Sequence, residues 1–342
     1  MWLIVAMFFT PFGVFAQRGS FDVERWYSML DDVRTRATAE KISDDVISDV
    51  LRAPAFIPSI VKSDKNQAEF KLTLNGYLDK TVNNTRISSG KKMRAKYPTM
   101  LANIEKKYGI PPHVMLAFWG LESNYGAVKS RHKLIDAFLT LMYDGRRETF
   151  FSNQLIALMK IADKNNLDIT NIRGSWAGAM GHFQFIPTTL AQYGADGNGD
   201  GRIDIINNIS DAMHSAGNYL SKLGWNKNER IVRRVVLPAD FDITLLDGKT
   251  KFSLPQWSEL GVTNPDGTSI PQNDIIAGLV ADVADIEAQR TNTNTTSLPD
   301  TDVAPMPVIT AYLTYPNFYR IKKWNNSNWY AIAIANLADN LH

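Results

Sequence analysis

IPPHVMLAFWGLESNYG, residues 110–126, reads as a buried helix with a charged residue near its end. Pro111 and Pro112 suit a helix start, where a missing N–H breaks no intrahelical bond. Val114, Met115, Leu116, Ala117, Phe118, Trp119 and Leu121 then leave almost no polar face, so the helix belongs inside the protein and not on its surface. Gly126 is the expected stop. Glu122 therefore falls at the inner end of an apolar helix. A carboxylate there is costly without partners, and desolvation raises a carboxyl pKa toward the range a general acid needs near neutral pH. The structural alternative is that Glu122 emerges into solvent at the helix end, or pairs with Arg146 or Arg147.

A second block, GSWAGAMGHFQFIPTT at 174–189, has the texture of a sugar site. Its Gly and Ala residues permit close backbone approach, while Ser175 and Gln184 interleave hydrogen-bonding groups with the flat faces of Phe183 and Phe185. Pyranose rings need both. A tightly packed helix pair joined by a glycine-rich turn would read the same way if the block stood alone.

The sequence DGNGDGRID at 196–204 follows the opening of a calcium-binding EF-hand loop, with Asp196, Asn198 and Asp200 as side-chain ligands and the backbone carbonyl of Arg202 as a fourth. Asn207 stands where the closing Glu of such a loop would be, so Asp204 or Asp211 has to complete the shell. An ordinary Asp/Gly turn before a helix capped by Ser210 is the competing reading.

Around these blocks the chain is an ordinary globular sequence. Its 342 residues are 44% apolar and 21% charged with a net charge of +2, which argues against long disorder, and its Lys/Arg clusters at 91–96 and 230–234 are too short for a nucleic-acid face. Met1 to Ala16 is an apolar run ending Val-Phe-Ala, which reads as a signal peptide, although no Lys or Arg precedes it. With no cysteine in the chain, there is no lipid-modified Cys after that run and no disulfide framework, so a periplasmic location is expected. The five histidines show no metal spacing, and nucleophile-elbow and phosphate-loop motifs are absent. Periodicity gives a helical lobe over 17–97, a helical core over 98–234, a small β-rich lobe over 235–311 with a polar tract at 291–297, and a returning helical segment over 312–342. The fold class expected is α+β, mainly α.

The two motif blocks together resemble the lytic murein transglycosylases of the soluble and membrane-bound B type, a branch of the lysozyme-like superfamily. The likeness extends in order through NQAEFKLTLNGYLDKTVNNTRISSGKK at 66–92, YDGRRETFFSNQL at 143–155, the segment 196–225, and NFYRIKKWNNSNWYAIAIANLAD at 317–339. It implies a lysozyme-like core and Glu122 as the catalytic residue. The family's glycan contacts fall on Tyr77, Arg146, Arg147, Ser175, Gln184, Phe185, Tyr219, Asn325 and Tyr330. A lengthened EF-hand-like loop in the family matches Asp211 as the closing ligand of a structural calcium ion, with no cofactor required for the chemistry. Peptidoglycan glycan strands are the implied partner, cell-wall synthesis or division proteins are further candidates, and a monomer is expected. Phe150 and Trp324 stand where relatives commonly carry an aromatic hydroxyl, so a hydrogen bond is expected to be lost there while stacking survives. Ordinary glycosidases use two carboxylates, whereas the motif blocks offer one. That fits a reaction in which one Glu protonates the leaving oxygen and then deprotonates the muramoyl C6 hydroxyl to close a 1,6-anhydro ring. A hydrolytic muramidase and a non-catalytic peptidoglycan-binding protein are the alternatives.

Overall fold

The structure, a computed structural model, describes residues 21–65, 72–128, 130–288 and 309–342. The apolar segment Met1 to Ala16 and the polar tract at 291–297 lie outside these. The described chain is mainly helical with two small antiparallel sheets, as expected.

Helices α1 (Val23–Ala39), α2 (Asp44–Leu51) and α3 (Pro58–Lys65) lie against α8 (Leu134–Asp144) and α9 (Glu148–Asn165). Apolar stripes such as Trp26, Met29, Leu30, Val33 and Ala37 face inward, and the seam is pinned by polar contacts. Arg36 donates to Ser152 Oγ at 2.8 Å and Asn153 Oδ1 at 2.6 Å, and Ile57 N–H donates to Thr140 Oγ1 at 2.9 Å. Helices α4 (Leu74–Thr81), α5 (Asn84–Lys96) and α6 (Pro98–Tyr108) lead into α7 (Pro112–Ser123).

Helix α7 is the axis of the fold. Every residue from Val114 to Gly120 is buried, which the absence of a polar face requires. Helices α5, α6 and α11 (Ile209–Lys222) cover it, together with the last helix of the chain, Asn328–Asp339. That helix runs antiparallel to α7. The rings of His113 and His342 meet at 3.8 Å at one end of the pair, and Glu122 meets Tyr330 at the other.

The strand pair β1 (His132–Lys133) and β2 (Arg173–Gly174) precedes α10 (Pro187–Tyr193) in the core. A four-stranded antiparallel sheet carries β3 (Val232–Leu237), β4 (Asp247–Ser253), β5 (Ile276–Val280) and β6 (Ile309–Thr314) in the order β3-β6-β5-β4, with α12 (Leu254–Glu259) after β4. Strand alternation divides its side chains between two apolar clusters. Val235, Leu237, Ala277, Leu279, Ala311 and Leu313 pack with Trp257 in a small cluster, while Val280 and Tyr312 join the main core. Strand β6 runs past residue 311, because Tyr312 to Thr314 pair with β3 on one side and β5 on the other. Helix α13 (Pro316–Trp324) then returns to α14 (Asn328–Asp339). Asn317, fully buried, fixes that return by donating to the carbonyls of Asn226 at 2.8 Å and Glu229 at 2.9 Å.

Candidate active site

Glu122 lies in the last turn of α7, and the chain reverses immediately after it. The helix stops at Ser123, ahead of the expected Gly126, because Asn124 adopts the left-handed conformation (φ 50°) and its N–H bonds back to Gly120. Tyr125 and Gly126 are left-handed too. The Tyr125 ring folds back onto α5 and α7, its hydroxyl donating to Arg86 O at 3.0 Å. A side chain at Gly120 would place its Cβ 2.7 Å from that hydroxyl, so glycine is required there for close packing and not for a turn. Ser123 couples the first motif block to the second, donating to His182 O at 2.7 Å and accepting from Gly126 N–H at 2.9 Å. Trp119 Nε1 donates to His182 Nδ1 at 3.0 Å, which fits a neutral imidazole, and burial lowers the His182 pKa in the same sense.

Two side chains from the end of the chain converge on the half-buried Glu122. Its Oε1 accepts from Tyr330 Oη at 2.5 Å and from Trp324 Nε1 at 2.9 Å. Tyr330 is 5% exposed, and burial together with the adjacent carboxylate pushes its pKa well above the usual phenol value, so it stays a neutral donor. The expectation that Trp324 would cost a hydrogen bond is overturned: its indole N–H reaches the carboxyl group of Glu122 itself. Stacking survives as well. Trp324 lies 4.9 Å from Tyr219, 5.3 Å from Phe185 and 5.0 Å from Phe118, and Tyr219 stacks on Tyr193 at 4.5 Å, giving an aromatic wall beside the carboxyl group. Phe150, the other replacement, is 41% exposed and lies edge-on to Phe151.

Ser175, Trp176 and Gln184 line the same cleft as Glu122, so the structure brings the two motif blocks together. The Ser175 hydroxyl accepts from Ala179 N–H at 3.0 Å, and Gln184 Nε2 donates to Gly181 O at 3.0 Å. Gln184 is a non-glycine residue at φ 48°, held by the paired backbone bonds of Met180 and Phe185 on either side of the turn. Gly178 (φ 93°) lies so close to Phe138 that a Cβ would sit 2.1 Å from its ring. The glycines of this block thus serve close packing beneath the cleft.

Arg146 and Arg147 have Asp64 as their carboxylate partner, in place of the Glu122 pairing left open by the sequence. Arg146 Nη2 donates to the Asp64 carbonyl at 3.0 Å and to its carboxylate, Arg147 bonds the other carboxylate oxygen, and the Arg147 guanidinium lies 4.8 Å over Phe151. Asp64 is 3% exposed, whereas both arginines are half-exposed. Sequence reasoning missed it because Asp64 sits in the polar stretch KSDKN, remote from any motif block. Tyr77, on α4, is near enough to Tyr330 to raise its pKa further. Asn325 ends α13, its N–H bonded to Ile321 O at 3.0 Å.

In the 196–204 loop the Asp196 carboxylate accepts from the N–H groups of Gly199 at 2.6 Å and Gly201 at 2.8 Å, which holds its pKa below the usual value. Asp200 accepts from Arg202 N–H at 2.9 Å and from the Asn198 amide at 2.8 Å. Oxygen donors of this kind suit a hard cation. Asp211 is fully buried, and its two oxygens accept from Gly197 N–H and Asp204 N–H, each at 2.8 Å, tying both ends of the loop to α11. The cap of α11 is Asn208, not Ser210. Among the described residues no three His, Asp or Glu side chains converge as a metal-holding group.

With this geometry in place, comparison with known proteins is decisive for the family. The transglycosylase SLT domain family matches residues 25–339. This chain belongs to that family. It is 30% identical over 267 residues to the membrane-bound lytic murein transglycosylase B of Escherichia coli, a match covering 75% of this chain and 64% of that protein. The chain thus spans less than two thirds of the length of this curated relative. It is similar to SltB3 from Pseudomonas aeruginosa, solved in complex with NAG-anhNAM-pentapeptide, with a TM-score of 0.80 at 32% identity over 92% of this chain and 79% of that one. The lytic transglycosylase Slt35 of Escherichia coli, solved with bulgecin A and with calcium, matches at a TM-score of 0.75 and 26% identity, covering 93% of this chain and 92% of that one. The lysozyme-like architecture expected from the motif blocks is the one these relatives share. Among the described residues no helix is long and apolar enough to cross a membrane.

Proposed function

We propose that this chain is a periplasmic lytic transglycosylase that cleaves the β-1,4 bond between N-acetylmuramic acid and N-acetylglucosamine in peptidoglycan. The observation that carries this reading is that Glu122 is the one carboxyl group among the described residues lining its cleft. A two-carboxylate glycosidase mechanism lacks its second member there. One group has to serve twice: Glu122 gives its proton to the bridging oxygen as the bond to muramoyl C1 breaks, with the substrate's N-acetyl group stabilising the cationic centre. The carboxylate then takes the proton of the muramoyl C6 hydroxyl as O6 bonds to C1. Glu122 ends protonated, ready for the next bond, and no water is consumed. Tyr330 and Trp324 hold Oε1 without adding charge. Ser175, Gln184, Phe185, Tyr219, Tyr77, Arg146, Arg147 and Asn325 are the proposed glycan contacts, with Asp64 holding the two arginines in place.

The test is mass spectrometry of products from purified peptidoglycan. Transglycosylation gives muramoyl ends lighter by one water than the reducing ends of a hydrolase. Reducing ends alone would establish a muramidase.

We further propose that the 196–204 loop takes a structural calcium ion through Asp196, Asn198, Asp200 and the Arg202 carbonyl, with Asp211 closing the loop. Its donor chemistry and the calcium found in the related Slt35 support this. Calcium added to chelator-treated protein is then expected to raise Tm by about 2–4 °C for each kcal/mol of binding linkage, and Asp196→Asn to remove the effect. An unchanged Tm in the parent protein would leave the loop an Asp/Gly turn.

A further inference from the structure

His182 lies between the end of α7 and the 196–204 loop and bonds toward both, yet it is neither a donor to the Glu122 carboxyl group nor one of the described residues lining its cleft. Its two bonds to α7 straddle the reacting group. Trp119 and Ser123, four residues apart, share one side of the helix, and Glu122 comes between them in the last turn. Trp119 Nε1 donates to the imidazole Nδ1 at 3.0 Å, and the Ser123 hydroxyl donates to the His182 carbonyl at 2.7 Å. An indole N–H can only donate, so Nδ1 is the acceptor and the neutral ring carries its hydrogen on Nε2. The chain reversal after Glu122 closes over the same ring. A Cβ at Gly126 would lie 2.5 Å from the His182 Cε1, so only bare backbone admits the imidazole there.

On its other side His182 is rooted in the core. Its N–H donates to Ile205 O at 3.2 Å, Ile205 is buried, and the preceding residue, Asp204, gives its N–H to the fully buried Asp211 of α11. Two residues beyond His182, Gln184 reaches the cleft from a turn whose Gly181 carbonyl accepts from its side chain at 3.0 Å. His182 therefore joins three parts of the site: the helix end under Glu122, the turn that presents Gln184, and the loop anchored by Asp211. Tyr330 and Trp324 hold the carboxyl group itself, and His182 holds the helix end from which it rises.

We propose that His182 is a positioning residue for Glu122, setting the end of α7 against the turn that carries Gln184 through its bonds to Trp119 and Ser123. This rests on the reading of Glu122 as the acid/base. The bond to Trp119 is the one a substitution at 182 removes, since Ser123 bonds to the backbone. Trp119 is 2% exposed, so its N–H has no solvent to turn to when that acceptor goes.

The test is turnover of purified glycan strands, measured well below the Tm of each variant. His182→Leu is expected to lower kcat by about 10-fold with KM unchanged within about 2-fold, less than the roughly 10²-fold that a misplacement of about 1 Å can cost. His182→Asn should recover most of that loss, because its amide oxygen stands near the position of Nδ1. His182→Gln, whose amide reaches past that position, should not, and the Asn and Gln pair decides the matter should the Leu variant fail to fold. Trp119→Phe removes the donor instead, so adding His182→Leu to it should cost little more. The proposal is overturned if folded His182→Leu keeps the parent's kcat, if Asn and Gln behave alike, or if the single losses multiply in the double variant. A rise in KM alone would overturn it too, making His182 a glycan contact. Glu122→Gln separates the proposal from the reading beneath it. Cleavage that ignores this change sinks both, whereas cleavage abolished by it but indifferent to His182 sinks the positioning role alone.

Discussion

Replacing Glu122 by Gln is expected to lower the rate of glycan-strand cleavage by about 10²- to 10⁴-fold, the usual contribution of a positioned acid/base. The loss should be chemical and not structural. Gln nearly matches Glu in volume, and its amide oxygen can still accept from Tyr330 and Trp324, which now meet Oε1 at 2.5 and 2.9 Å. What disappears is the transferable proton and, in the second half of the reaction, the base that takes the C6 hydroxyl proton. Turnover of purified glycan strands, alongside thermal unfolding, separates the two effects: kcat should collapse while Tm moves by no more than a few degrees. Undiminished cleavage would place the chemistry elsewhere and leave Glu122 as a binding group in a peptidoglycan-recognition protein.

How much of this was legible in the sequence depended on how local the cause was. The burial of α7 could be read from 110–126 because an all-apolar helix has no face to give to solvent, and every residue from Val114 to Gly120 is buried. Its end was misplaced by a few residues, since Asn124 and Gly126 can both adopt a left-handed cap and only the surrounding packing chooses between them. The meeting of Glu122 with Ser175 and Gln184 was legible only through the resemblance, because no periodicity links residues so far apart in the chain. The arginine pair was placed in the site, but its anchor was not: Asp64 is an unremarkable charge in the sequence and becomes the pivot of two guanidinium groups only when α3 docks beside α8. Trp324 was the instructive miss. Treated as a substitution of type, it loses a hydroxyl. Placed by the α13 return, its indole N–H reaches the carboxyl group of Glu122.

That same pair of donors sets the second large expectation. Tyr330→Phe is expected to lower kcat by about 10- to 100-fold, corresponding to loss of a hydrogen bond of about 1.5–3 kcal/mol to a charged group. The ionised carboxylate is the form these donors favour most, and it is the form that must abstract the C6 proton. Removing one donor makes ionisation of Glu122 harder, so the limb of the pH–rate profile on which the acid becomes deprotonated should move to higher pH. Trp324→Phe should move it in the same direction, since the indole N–H is lost from the same oxygen, but it also thins the aromatic wall shared with Phe185 and Tyr219. Its KM should therefore rise alongside the fall in kcat, whereas Tyr330, buried beneath the carboxyl group at 5% exposure, should affect mainly kcat. Because both donors act on Oε1, the double variant should depart from the product of the single effects, with a coupling of about 0.5–3 kcal/mol typical of neighbours in one network. Full additivity, or a pH profile that does not move, would mean that Tyr330 and Trp324 only pack the site and that Glu122 is oriented by other means.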